Sequence, residues 1–224
     1  MKALIVGNGE PPSRALFDAL LAAAPDLLLC ADGGADTVRR YGAEPDAVVG
    51  DLDSTSSATL LDTPAQRQVR IDADDTGTDL NKVLRHAVAL GVTAAVLTGV
   101  TGRRTDHTLW NLSLLKRYAD RLQLLMVDDY CHIRLLGAGT VTHFHARVGL
   151  RLSLSPLDGA AYGVTTTGLR WSLTDENLVP GQRDGISNEV VISPVSVCVA
   201  GPGDLLLMVH REGETAEIEY FDPS

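Results

Sequence analysis

Aspartates recur in this sequence directly after short apolar runs. Ala31-Asp32-Gly33-Gly34 closes the run Leu27–Ala31, and Gly50-Asp51-Leu52-Asp53-Ser54 follows Ala47–Val49. Asp72, Asp74, Asp75 and Asp79 come after Gln68–Ile71, and Gly99, Gly102, Arg103, Arg104 and Asp106 after Ala94–Thr98. Asp128 and Asp129 end the run Leu124–Val127. Crowded carboxylates raise one another's pKa unless a cation intervenes. The simplest resident cation is Mg²⁺, which takes oxygen ligands and shares them with substrate phosphates. Glycines beside the carboxylates let backbone approach a phosphate, and Arg103 and Arg104 supply fork-shaped donors for its oxygens. The set points to metal-assisted phosphoryl or nucleotidyl transfer.

Taken singly, each residue has a plainer reading. Asp32-Gly33-Gly34 is also ordinary turn chemistry. Thr78 or Asp79 suits the cap of the following helix, as Asp106 suits the next one. Lys82 also reads as a solvated helix residue, and His107 as a structural hydrogen-bonder. No second His stands at metal spacing in the first half, which disfavours zinc. Gly7-Asn8-Gly9 lacks the third glycine of a dinucleotide fingerprint and the lysine of a P-loop.

The elements that must position these residues alternate. Ala3–Val6 reads as a buried strand, and Leu16, Ala19, Leu20 and Ala23 follow at helical spacing. Leu27–Ala31, Ala47–Val49, Gln68–Ile71, Ala94–Thr98 and Leu124–Val127 read as further strands. A helix is marked by Leu80, Val83, Leu84, Ala87 and Val88, with Gly91 as its stop, and another is expected over Thr108–Ala119. Such alternation predicts a parallel sheet with helices on both faces, whose strand carboxyl ends share one ligand-binding edge. After about Tyr130 the period becomes two. Val148, Leu150, Leu152 and Leu154 alternate with polar or small residues, as do Val195, Val197 and Val199. Residues 131–224 are therefore expected to form an antiparallel β-sandwich, separate from an α/β domain over 1–130.

Composition narrows the partners. The 224 residues are 45% hydrophobic and 21% charged, which suits a folded chain rather than a disordered one. With 29 acidic against 19 basic residues the net charge is −10, which argues against nucleic acid and anionic membranes as partners. No apolar run is expected to span a bilayer, and the run before Gly7 is too short for a secretory signal. Cys30, Cys131 and Cys198 are far apart and odd in number, which suits a reducing cytoplasm better than a disulfide framework.

The ordered motifs resemble the thiamine pyrophosphokinase family. They are Ala31 to Ala35, Val49 to Ser54, Thr78-Asp79-Leu80 with Lys82, and Gly99 to Asn111 (GVTGRRTDHTLWN). In the second half they are Thr167 to Leu173 (TGLRWSL) and Gly185 to Glu189 (GISNE). The resemblance implies a Rossmann-like domain followed by a β-sandwich, with Mg²⁺, ATP and thiamine, and a homodimer with thiamine near its interface. It implies transfer of an intact pyrophosphoryl group from ATP to the thiamine hydroxyl, giving thiamine diphosphate and AMP. By motif position, Asp51, Asp53 and Asp79 hold or surround Mg²⁺, and Asp106 joins them in catalysis. Asp32, Gly33, Gly34, Lys82, Thr101, Gly102, Arg104 and His107 serve ATP, and Trp171, Ser187 and Asn188 serve thiamine. Asp79 or Asp106 is the candidate acceptor for the hydroxyl proton. Trp171 suits a cationic aromatic ligand, though a sandwich-core position would equally explain an indole, and a turn would explain Ser187-Asn188. The chain departs from the family pattern at Asp75, where Gln is common, and at Arg103, which replaces a glycine.

Two other readings fit part of the pattern. Asp51-Leu52-Asp53-Ser54-Thr55 resembles the D-x-D-x-T motif of haloacid-dehalogenase phosphatases, where the first Asp is a nucleophile. That motif normally follows the first strand, and here two strands precede it. A thiamine- or nucleotide-binding protein without catalysis is the second.

Overall fold

The computed structural model describes residues 1–72 and 77–211. The chain divides into two compact units, Met1–Asp129 and Tyr130–Ser224.

Among its described residues the first unit carries six strands: β1 (Lys2–Val6), β2 (Leu27–Ala31), β3 (Ala47–Gly50), β4 (Gln68–Arg70), β5 (Ala94–Thr98) and β6 (Gln123–Val127). They pair in parallel in the order β6-β5-β1-β2-β3-β4. Ile5 of β1, for example, lies opposite Leu29 on one side and Leu97 on the other. Successive side chains of a strand point to opposite faces. Ala3, Leu4, Ile5 and Val6 are all fully buried, so both faces are covered. The chain builds outward from β1 through β4 and then returns to the far side of β1 with β5. The crevice beyond the ends of β1 and β5 is thus a topological switch point, where open parallel sheets bind ligands.

Among the described residues, five α-helices connect these strands, with a short 3-10 turn at Ala65–Arg67: α1 (Arg14–Ala22), α2 (Gly34–Arg40), α3 (Ser57–Asp62), α4 (Asp79–Ala89) and α5 (Thr105–Arg117). Ser13, Ser56 and Thr78 cap α1, α3 and α4 by accepting the backbone N–H of Leu16, Thr59 and Asn81. Sequence spacing identified α1 and α4 but not α2 or α3. The buried residues of α2 are Gly34, Ala35, Thr37 and Val38, and only Thr59 is buried in α3, so neither carries a leucine stripe. Helix α5 begins three residues earlier than expected, at Thr105.

The second unit is all β among the described residues: β7 (Cys131–Leu136), β8 (Thr140–Phe144), β9 (Arg151–Pro156), β10 (Ala161–Thr167), β11 (Glu176–Leu178), β12 (Gly185–Glu189), β13 (Val195–Val199) and β14 (Leu205–His210). One antiparallel set runs β12-β9-β14-β7 and the other β11-β10-β13-β8. Leu152, Leu154, Leu205 and Leu207 of the first set share one core cluster with Val164, Val195, Val197 and Val199 of the second. Two sheets closing on one apolar core make a sandwich. Val148, expected in the alternating run, is 60% exposed in the loop before β9. No described helix is long and apolar enough to cross a membrane.

Candidate active site

Four of the six non-glycine residues with positive φ among those described are Asp32 (+42°), Leu52 (+65°), Arg103 (+52°) and Ser187 (+59°). Each lies in a motif the sequence marked out. Side-chained residues persist in this region only where the surroundings hold them, and such positions cluster at functional sites.

Asp32 leaves β2 in this strained geometry and is 1% exposed. Its carboxylate accepts the Thr55 hydroxyl at 2.6 Å and the Ser54 N–H at 3.3 Å. Burial pushes its pKa up; the bonds from Thr55 and Ser54 work against that, and the charges of Asp79 and Asp51 add to it. Gly33 and Gly34 open α2 where it meets β1. A Cβ on Gly34 would stand 2.2 Å from the Val6 carbonyl oxygen, and one on Gly33 2.4 Å from the Asn8 amide. At both positions the absence of a Cβ permits this close packing.

Asp51 follows β3 and Gly50. A Cβ on Gly50 would lie 3.0 Å from the Asp32 Cβ and 3.2 Å from Asp79 Oδ1, so the bare glycine lets the carboxylates converge. Asp79 is the first residue of α4, with Lys82 one turn further on. The Lys82 ammonium donates to Asp79 Oδ1 at 2.9 Å and to Asp51 Oδ2 at 3.1 Å, with only 3% of its side chain exposed. Burial opposes its charge, but the bonds to Asp79 and Asp51 outweigh it and hold its pKa above the usual lysine value. In return Asp51, though partly desolvated, is held below the usual carboxylate range by the Lys82 bond. Oxygens of Asp32, Asp51 and Asp79 all lie within 4.8 Å of one another. Three carboxylates against one ammonium leave an excess of two negative charges. That excess and the all-oxygen donor set fit a hard divalent cation.

Beside this cluster is a cavity of about 460 Å³, lined in part by Gly7, Asn8, Gly9, Asp51, Ser54, Asp79, Lys82, Gly102, Arg103, Arg104, His107 and Asn111. The loops after β1 and β5 are zipped together beside it. Gly9 N–H donates to the Gly99 carbonyl at 2.6 Å and Glu10 N–H to that of Thr101 at 2.7 Å. A Cβ on Gly9 would stand 2.5 Å from the Thr101 carbonyl oxygen, which explains the glycine. The weak Gly7-Asn8-Gly9 signal thus falls on the cavity wall.

Other residues from the sequence reading stand apart from the cluster. The Asp53 carboxylate is exposed and accepts the Ser54 hydroxyl at 3.0 Å; it is outside the group formed by Asp32, Asp51 and Asp79. The left-handed turn at Leu52, whose side chain is buried, separates the two aspartates of the motif. Asp106 is not a cap but the second residue of α5, and its exposed carboxylate receives a two-bond fork from Arg104. That fork, chiefly, holds Asp106 down to about 2. The Thr101 hydroxyl donates to Asp128 at 2.8 Å, and Asp129 accepts the Ser13 N–H at the start of α1 at 2.7 Å. Asp74 and Asp75 lie outside the described residues. Thr55, the end of the Asp51–Thr55 pattern, grips Asp32, a role the sequence did not assign it. Nor did the sequence assign a role to Asn111 at the end of its motif, whose side-chain amide donates to the Val100 carbonyl at 2.7 Å and ties α5 to the loop after β5.

In the second unit Trp171 is 57% exposed, which removes the core reading. Arg170 stands over its ring at 5.8 Å. Ser187-Asn188 is not a turn but part of β12, where pairing with β9 shifts register between Gly185 and Asn188. Asn188 is buried and fully engaged. Its Oδ1 accepts the N–H of Trp171 at 3.1 Å and of Glu189 at 2.9 Å, and its Nδ2 donates to the Trp171 carbonyl at 2.7 Å. Asn188 therefore positions Trp171. The Ser187 N–H donates to the Ser153 hydroxyl at 3.0 Å, and its own side chain is exposed.

Comparison with known proteins agrees with this layout. Residues 18–126 match the family described as thiamin pyrophosphokinase, catalytic domain, and residues 145–201 that described as thiamin pyrophosphokinase, vitamin B1 binding domain. Thiamine pyrophosphokinase 1 of Arabidopsis thaliana is 30% identical over 250 residues, spanning 99% of this chain and 90% of that protein. The thiamine pyrophosphokinase crystal structure from Bacillus subtilis superposes with a TM-score of 0.81 at 22% identity, covering 95% of this chain and all of that one. The one from Geobacillus thermodenitrificans gives 0.79 at 25% identity, with 96% and 100% covered. Neither the phosphatase nor the inactive binding reading finds support in these matches. Strand order, acidic cluster and matches over both units agree, and the chain belongs to the thiamine pyrophosphokinase family.

Proposed function

We propose that this chain carries out its family's reaction, ATP plus thiamine to AMP plus thiamine diphosphate, at the acidic end of the parallel sheet. The supporting observation is the convergence of Asp32, Asp51 and Asp79 around the buried Lys82, beside a cavity with glycine-rich walls. Asp51 and Asp79, with Asp32 behind them, would hold Mg²⁺, which would supply the positive charge that neutralises phosphate oxygens. Lys82 binds both carboxylates and aligns them. The loops around Gly7–Gly9 and Gly99–Gly102 let backbone approach the phosphates. Asp79 lines the cavity whereas Asp106 does not, so Asp79 is the carboxylate that takes the thiamine hydroxyl proton.

The exposed Trp171 indole, positioned by Asn188, offers a face to the cationic rings of thiamine. A homodimer in the cytoplasm completes the proposal; it rests on the family resemblance and on cysteines that form no disulfide. The test is nucleotide analysis after mixing protein, ATP, Mg²⁺ and thiamine, with thiamine omitted as control. Thiamine-dependent AMP, matched one for one by thiamine diphosphate, is expected. ADP with thiamine monophosphate would overturn the proposed transfer.

A further inference from the structure

We propose that Arg103 binds the polyphosphate of the nucleotide through its guanidinium, an assignment that rests on the reaction proposed above. Arg103 stands on the cavity wall at φ +52°, a conformation glycine takes without steric cost and arginine does not. The side chain rather than the backbone is therefore what the position retains.

The three long cations on that wall are held very differently. Lys82 is enclosed between Asp51 and Asp79 at 3.1 and 2.9 Å. Arg104 is committed to the two-bond fork on Asp106. Arg103 has only long contacts. Its Nη1 is 3.4 Å from the Asn8 carbonyl oxygen and 3.5 Å from Asn8 Oδ1, and its Nε is 3.9 Å from Glu10 Oε2. Half of its side chain is exposed, as is 66% of that of Glu10. Contacts of that length are weak, whereas a guanidinium on phosphate makes two short, charge-assisted bonds. Of the two guanidiniums on the wall, Arg103 has the longer contacts, so it is the one that changes partner at the lower cost when a nucleotide enters. Glu10 then acts as the placeholder that phosphate displaces.

The test measures equilibrium binding of ATP, and separately of inorganic tripolyphosphate, by calorimetry with Mg²⁺ and without thiamine. Arg103→Gly is expected to bind both about tenfold more weakly, the scale of one charge-assisted contact. Its KM for thiamine should stay put, and its melting temperature should not fall, because glycine suits the backbone there. Arg103→Lys should fall between the two, and Glu10→Gln should bind slightly tighter than the wild type. Binding of both probes to Arg103→Gly within twofold of wild type would overturn the assignment. So would a matching loss of thiamine affinity, which would mean general damage to the loop. The binding and melting measurements need no turnover. A wild type that binds ATP yet makes no thiamine-dependent AMP would sink the reaction, while Arg103 would still be judged on binding alone.

Discussion

Two carboxylate–cation groups flank the same cavity and differ in nearly everything but chemistry. Around Lys82 the ammonium is enclosed, and two aspartates from different elements share it. At Arg104 and Asp106 both partners come from one end of one helix, and both side chains are about two-thirds exposed. The first group joins α4 to the end of β3, so removing its cation leaves carboxylates facing one another at short range. The second is wetted on all sides, where such pairs add little. Charge in the first region is therefore part of how the site holds together. In the second it is part of how the surface responds.

Lys82→Met should break that contrast most severely. It leaves two neighbouring carboxylates without their counter-ion and is expected to cost about 3 kcal/mol in urea unfolding, the low end for a buried pair because the aspartates are partly open. The same variant carries a pH signature. A lysine whose folded pKa lies above 10.5 contributes fully below that pH, and the contribution is lost as pH rises through the folded value. Wild type should thus lose melting temperature above pH 10.5 in excess of Lys82→Met; parallel curves would deny the buried pairing. Next come the aspartates. Asp51→Asn and Asp79→Asn should each lower kcat about a thousandfold while remaining folded. Asp53→Asn, outside the cluster, should stay within about tenfold; equal losses at Asp51 and Asp53 would show that the two act together. Trp171→Ala should raise the KM for thiamine about tenfold without moving that for ATP. Asn188→Ala should reproduce that KM change and also lower the melting temperature, separating the residue proposed to touch thiamine from the one that positions it. Arg104→Lys should have the smallest effect: unchanged melting temperature, with the Asp106 carboxyl rising from about 2 towards the ordinary aspartate value by NMR titration.

The contrast also explains how much was legible beforehand. The parallel strands were readable because Ala3–Val6 and Ala94–Thr98 are buried on both faces and so appear as continuous apolar runs. The acidic rim was readable because carboxyl ends of parallel strands share an edge. Spacing cannot tell Asp51 from Asp53, since the left-handed turn at Leu52 that parts them leaves no mark in residue type. Lys82 could be placed one turn after Asp79, but not against Asp51, thirty-one positions earlier. Helix α2 escaped because small residues suffice where it packs, and the β12 irregularity escaped because Gly-Ile-Ser-Asn-Glu breaks the period of two.

That irregularity has a second consequence. Among the described residues β12 is the outer strand of its antiparallel set, with Ile186 52% exposed and the Glu189 carbonyl accepting the Arg170 N–H at 2.8 Å; a straight, uncovered outer strand would offer a ladder of backbone groups to another chain. The register shift and the left-handed Ser187 interrupt that ladder at its middle. The bend that lets Asn188 hold Trp171 thus also breaks the regularity of the outer edge, and a substitution that straightened it would loosen the hold on Trp171 and lengthen the regular ladder at that edge.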